Sequence, residues 1–194
     1  NALVIGTMDD QLRELADASV FIRGNKVEAV GPASELPDTA DKVIDMTGHV
    51  LIPGLINTHH HMFQTLTRAL PAAQNAELFD WLTALYPVWQ NITPKMQQVA
   101  TRTAMAELML SGCTTAADHA YVYVNGTRLE DSVQAAQEMG MRFHAARGAM
   151  SLGQSKGGLP PDALVEQDEQ AILKEMQRTV EVLHDSSSDA MIKV

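Results

Sequence analysis

Hydrophobic positions change their rhythm near residue 51. Before it they alternate in short runs divided by turn residues: "NALVIGT", then "ASVFIRGNKVEAVG", then "DKVIDMTGHVL". In the middle run, Val20 and Ile22 lie on one side of "RGNK" and Val27 and Ala29 on the other. A Gly-Asn turn between two alternating stretches predicts a β-hairpin. Asp45 to Gly48 supplies a further turn ahead of the apolar strand "HVLIPGLINTH". Residues 1–50 are therefore expected to form a small β-rich module, and residues 51–194 a second domain.

Beyond residue 51 helical and strand-like spacings alternate. "TPKMQQVATRTAMAELMLSG" offers Thr93 as a cap, Pro94 in the first turn, apolar residues at helical spacing and Gly112 as a stop. The strand "CTTAADHAYV" follows, then the helix "TRLEDSVQAAQEMG" closed by Gly140, then the strand "MRFHAARGAMS". "PPDALVEQDEQAILKEMQRTVEVLHD" reads as a third helix and "DAMIKV" as the start of another strand. Alternating strands and helices imply βα units on a parallel sheet. The repeat length fits the first half of a TIM (β/α)8 barrel, whose complete form needs about 250 residues. A doubly wound sheet is the alternative, weakened by the lack of a Gly-rich phosphate loop after the first strand. The sequence opens at Asn1 and stops at "AMIKV", so a chain that continues in both directions is expected, chiefly past Val194.

Composition narrows the function. A formal net charge of −10 disfavours nucleic-acid backbones and anionic membranes as partners and leaves a small-molecule substrate. The single cysteine, Cys113, excludes a disulfide framework or a cysteine metal cluster and suits a reducing cytoplasm. No run approaches the roughly 20 apolar residues of a membrane span, and no signal peptide opens the sequence.

In a barrel, chemistry gathers at the C-terminal ends of the strands. There the sequence places His59, His60, His61 and Gln64, then Asp118 and His119, then His144 and Arg147. Alternate residues of an extended strand share a face, so His59 and His61 point together while His60 points away. Two imidazoles one residue apart can grip one metal ion, zinc or iron, and a catalytic site leaves a position open for water. An accidental polar cluster is the competing account.

"HVLIPGLINTHHHMFQTLTRAL" resembles the amidohydrolase superfamily, in its cytosine/guanine and triazine aminohydrolase branch. Members carry a strand ending in His-x-His behind a "PGL(I/V)(N/D)TH" phrase. "FDWLTALYPVW", "LMLSGCTTAADHAY" and "ARGAMSLGQSKGGLPP" resemble the deaminases of that branch that act on 8-oxoguanine. The resemblance implies a metal-dependent TIM barrel preceded by the N-terminal part of a small β-sandwich, residues 1–50. It implies His59 and His61 as ligands of one divalent metal, zinc first and iron second, and Gln64 as a contact to the purine ring. It implies hydrolytic deamination of a purine-type base, 8-oxoguanine first, by a homo-oligomer. The remaining ligands, a glutamate proton shuttle and an aspartate would come from later strands. No catalytic residue of that set is expected here, and this portion alone should not turn over substrate.

Other candidates carry two readings each. Trp81, with Tyr86 and Trp89, lies in a long segment after the histidines and either stacks on a purine or packs a loop core. Arg147 either contacts substrate or forms an ion pair. His119 either hydrogen-bonds ligand or satisfies backbone groups. His144 is expected to be structural, Asp118 to face the helices, Glu107 to be solvated or packed, and Cys113 to be a small buried residue. Three alternative functions stay open: a triazine, isocytosine or guanine aminohydrolase, a non-catalytic barrel scaffold, and a metal-dependent esterase or lactonase.

Overall fold

Gly24 and Asn25 turn the chain where the hairpin was expected, with Gly24 in the left-handed region at φ 61°. A computed structural model describes residues 1–194. It places β1 (Ala2–Gly6), β2 (Glu14–Arg23), β3 (Lys26–Pro32) and β4 (Val50–Leu51) in one sheet of order β3-β2-β1-β4. The β1–β2 and β2–β3 pairs are antiparallel and β1–β4 is parallel. Ala2, Ile5 and Ala18 form its small core, with Leu15, Val20, Val30, Met46 and Leu51 against them. Most of the expected strand "DKVIDMTGHVL" does not form: Val43 and Ile44 are exposed and unpaired in any ladder. Asp45 instead takes hydrogen bonds from the Thr47 amide and hydroxyl, an Asx turn that competes with strand geometry.

The run "HVLIPGLINTH" is also not one strand. It breaks at Ile52, Pro53 and Gly54, so that β4 ends in the first sheet and β5 (Leu55–Asn57) begins a second. Proline has no amide proton to donate to a ladder, which makes Pro53 a natural place for the chain to leave one. The chain accordingly divides into Asn1–Gly54 and Leu55–Val194, four residues later than the apolar rhythm suggested.

In the second unit α1 (Leu78–Trp89), α2 (Pro94–Leu110), α3 (Leu129–Met139) and α4 (Glu169–Leu183) accompany β5, β6 (Cys113–Ala120), β7 (Arg142–Arg147) and β8 (Ile192–Lys193). The sheet order is β5-β6-β7-β8 and every pairing is parallel. Thr93 caps α2 by accepting from the Met96 amide at 3.3 Å, and Gly112 and Gly140 close α2 and α3 at φ 88° and 71°. The segment holding Trp81, expected as a loop, contains the helix α1. Its Pro87 lies in the last turn and has no amide to donate to the Thr83 carbonyl, so the helix forgoes one ladder bond there. The third expected helix starts later than its apolar pattern, because Asp168 caps α4 by accepting from the Gln170 and Ala171 amides.

Burial alternates along β6 and β7 and fixes which face meets the helices. Ala116, Asp118 and Ala120 are buried on β6 while Thr114 and His119 are exposed; Phe143 and Ala145 are buried on β7 while His144 and Ala146 are exposed. The buried set joins Ala104, Met105, Val133, Ala136 and Met141 in one core. Its small side chains let α2 and α3 lie close, and Gln97 and Thr101 of α2 both donate to Ser132 of α3. Cys113 is buried there as expected, with Sγ donating to the Thr115 carbonyl. Phe143 is fully buried at 0% exposure at the centre of this core. Phe143→Ala should therefore destabilise the protein by about 3–5 kcal/mol, read as a lower urea midpoint, as for large-to-small changes in a well-packed interior.

Candidate metal centre

His59, His60 and His61 lie just past the last residue of β5 and are held by the end of β6 rather than by their own strand. The His119 amide donates to the His60 carbonyl at 2.8 Å, which carries strand-like contact beyond Asn57. His61 Nδ1 sits 2.7 Å from the His119 carbonyl oxygen. A carbonyl only accepts, so Nδ1 carries the proton and, in the neutral ring, Nε2 keeps its lone pair. That free nitrogen lies 3.2 Å from His59 Nε2, with the two rings nearly perpendicular at 86°. Tetrahedral zinc bound at about 2.05 Å to two nitrogens spaces them about 3.3 Å apart, so the pair fits one such cation. His61 also shows the usual outer contact of a metal-binding imidazole, its second nitrogen bound to a carbonyl.

Two nitrogens are the whole protein donor set here, since no group of three or more His, Cys, Asp or Glu could hold a metal ion. His60 points elsewhere. It is half-buried, its Nδ1 has no partner, and burial pushes its pKa below the usual histidine value.

His119 stands beside the pair, and Gln64 is linked to it through Tyr121. The His119 ring lies 5.4 Å from that of His61 between centroids, and burial, with the nearby His61 and His59, lowers its pKa and favours the neutral ring. Gln64 follows in a short 3₁₀ segment, Met62–Thr67, and its amide donates to the Tyr121 hydroxyl at 3.0 Å. Tyr121 was not anticipated from the sequence. It packs edge-on against His61 at 5.1 Å and against Phe63 at 5.2 Å, and burial pushes its phenol up to about 12. The signal was present: in "DHAYV" it sits two residues after His119, on the same side of an extended chain.

Trp81 and Arg147 do not join them. Trp81 packs edge-on against Trp89 at 5.5 Å and reaches His61 only through Trp89 and Phe63. Tyr86 and Trp89 are buried in the same cluster, so these aromatics form a core. Arg147 is engaged in an ion pair, the other of its two readings. It ends β7 at the same edge of the sheet but on the opposite face, in register with buried Ala120, while exposed Ala146 pairs with His119. Its side chain is 4% exposed, paired with Glu166, bonded to the Gly148 carbonyl at 2.9 Å and stacked 4.3 Å over Tyr123. His144 lies on the exposed face rather than in the packed one. Glu107 is engaged on the surface by a bidentate pair with Arg68. Asp118 faces the helices, 2% exposed, and desolvation pushes its carboxyl up to about 7.

The chain belongs to the amidohydrolase family, whose profile matches residues 50–192. It is 44% identical over 183 residues to the 8-oxoguanine deaminase of Pseudomonas aeruginosa, an alignment covering 93% of this chain and 40% of that protein. It is 35% identical to the hydroxydechloroatrazine ethylaminohydrolase of a Pseudomonas species, again over 93% of this chain and 40% of the relative. The structure of atrazine chlorohydrolase from Arthrobacter aurescens complexed with zinc superposes with a TM-score of 0.81 at 28% identity, covering 99% of this chain and 44% of that one. The chain thus spans about two fifths of the length of these two curated relatives. No helix is long and apolar enough to cross a membrane.

One close approach ties the site to β7. A Cβ added at Gly148 would lie 2.2 Å from His119 Nε2 and 3.1 Å from Tyr121 Cβ, so glycine leaves the space the imidazole occupies. Gly148→Ala should displace the His119 ring while leaving the buried face of the sheet intact. Histidine-selective NMR should show the His119 ring resonances move, with the core methyl signals unchanged.

Proposed function

We propose that this chain carries the first metal-binding strand end of an aminohydrolase that acts on an oxidised purine, converting 8-oxoguanine to urate and ammonia. The observation that supports it most is the convergence of His59 Nε2 and His61 Nε2, with the His61 proton held on the far nitrogen. The 44% identity to an 8-oxoguanine deaminase supports the substrate. The sequential parallel order β5-β6-β7-β8 supports reading the second unit as the opening half of a (β/α)8 barrel, and the first as part of a β-sandwich.

His59 and His61 would hold one divalent cation, zinc in preference to iron, as in the zinc-complexed structural relative. When bound, such a cation acts as a Lewis acid and brings the pKa of a water ligand towards neutrality. The overall reaction adds the oxygen of water to the amino-bearing ring carbon and releases that nitrogen as ammonia. His119, neutral and beside the pair, offers a hydrogen bond to the base or to water. Gln64 offers its amide oxygen to a ring N–H while its nitrogen is occupied by Tyr121. With no third ligand among these residues, the 194-residue portion alone is expected not to turn over substrate.

A triazine aminohydrolase is the second reading, favoured by the 35% identity to the hydroxydechloroatrazine enzyme. Ammonia release by the full-length protein should be measured on 8-oxoguanine, guanine, isocytosine and hydroxylated triazines. Turnover of 8-oxoguanine, lost together with bound zinc in His59→Ala and in His61→Ala, is the expected result. Reaction with triazines alone overturns the purine assignment.

Removal of the Tyr121 hydroxyl tests the role of Gln64. Tyr121→Phe deletes one hydrogen bond worth about 0.5–1.5 kcal/mol, so KM should rise about 2- to 12-fold. The kcat and zinc content should hold, because the ring that packs on His61 remains.

A further inference from the structure

We infer that Asp118 is a positioning residue for the imidazole pair: by binding the Met62 amide it sets the direction in which His61 projects. This rests on reading His59 and His61 as metal ligands.

Asp118 touches neither ring. It lies on the helix-facing side of β6 between Ala116 and Ala120, both buried. A carboxyl in that place is expensive, because one oxygen, Oδ2, is buried with no partner. The other, Oδ1, accepts from the Met62 amide at 2.7 Å. Met62 is completely buried and opens the 3₁₀ segment, where the first amides have no partner within the helix. No strand can serve it either, since β5 has ended at Asn57.

The amide in question controls His61 directly. The bond between His61 Cα and its carbonyl carbon, held at ψ 80°, relates the imidazole to the Met62 peptide plane. Fixing the Met62 N–H therefore fixes that rotation. The His119 amide holds the His60 carbonyl on the other side, and the His119 carbonyl holds the ring itself. Two adjacent residues of β6 thus grip three adjacent residues of the metal-binding loop, and Asp118 is the only one of those grips made by a side chain of β6. Without it, the Met62 peptide is held only by the Gln64 amide donating to the His61 carbonyl at 3.0 Å, and the 3.2 Å approach of the two Nε2 atoms is less tightly enforced.

The test uses the full-length protein, stripped of metal, and reads zinc affinity by competition with a chromophoric chelator. Asp118→Asn keeps an oxygen acceptor for the Met62 amide and should bind zinc within about threefold of the wild type. Asp118→Ala should lose about 10- to 100-fold in zinc affinity, the range for partners that orient metal ligands. Asp118→Leu fills the volume and removes the acceptor, so it serves if the alanine variant does not fold, and the same loss is expected. Near-ultraviolet circular dichroism of each metal-free form reports whether it is folded. The visible spectrum of the cobalt-substituted forms should change in the alanine and leucine variants and not in Asp118→Asn, which a purely structural role would not produce. Wild-type zinc affinity in a folded Asp118→Ala or Asp118→Leu protein overturns the inference, as does an equal loss in Asp118→Asn. Zinc affinity indifferent to His59→Ala instead overturns the metal reading of the pair.

Discussion

The hydrogen bond from His61 Nδ1 to the His119 carbonyl is the contact on which the site depends. It does two things at once. It turns the imidazole so that Nε2 faces His59, and it settles the proton so that the facing nitrogen is a donor of electrons rather than of hydrogen. The strand that bears the histidines is only three residues long in its paired part. The precision of the site therefore comes from its neighbour, β6, an eight-residue strand buried against two helices. A short strand end takes its geometry from a long, well-packed one.

The same sheet explains why one edge carries two different kinds of chemistry. Parallel strands in register put corresponding residues on a common face, so His119 and Ala146 share one side while Ala120 and Arg147 share the other. On the open side His119 and Tyr121 stand beside the His61 imidazole. On the packed side Arg147, Glu166 and Tyr123 close the end of the core, where a guanidinium is tolerated because it is paired with a carboxylate and laid over an aromatic face. One residue of offset along a strand separates a group beside the imidazole pair from a group that packs against Glu166 and Tyr123.

Most of the second unit was legible in advance because its signals are local. Thr93, Gly112 and Gly140 punctuate helices through backbone chemistry that needs no distant partner. The failures have equally local reasons. Pro53 divides what read as one apolar strand, Asp45 bends what read as another, and Asp168 delays a helix whose apolar pattern began earlier. Helix α1 was missed because its aromatic content resembled a lid, and its apolar side is matched only once Phe63 and Trp89 meet.

The sequence by itself determined the kind of site: histidines one residue apart at the end of an apolar run, within a βα rhythm, belonging to the amidohydrolase family. It determined this because side-chain chemistry and backbone period are properties of neighbouring residues. Only the tertiary structure decided which candidates stand together. Tyr121 stands beside His61 and Arg147 lies on the opposite face because face and register are fixed between strands far apart in sequence. His119 fits beside the pair because a glycine nearly thirty residues later leaves its ring room.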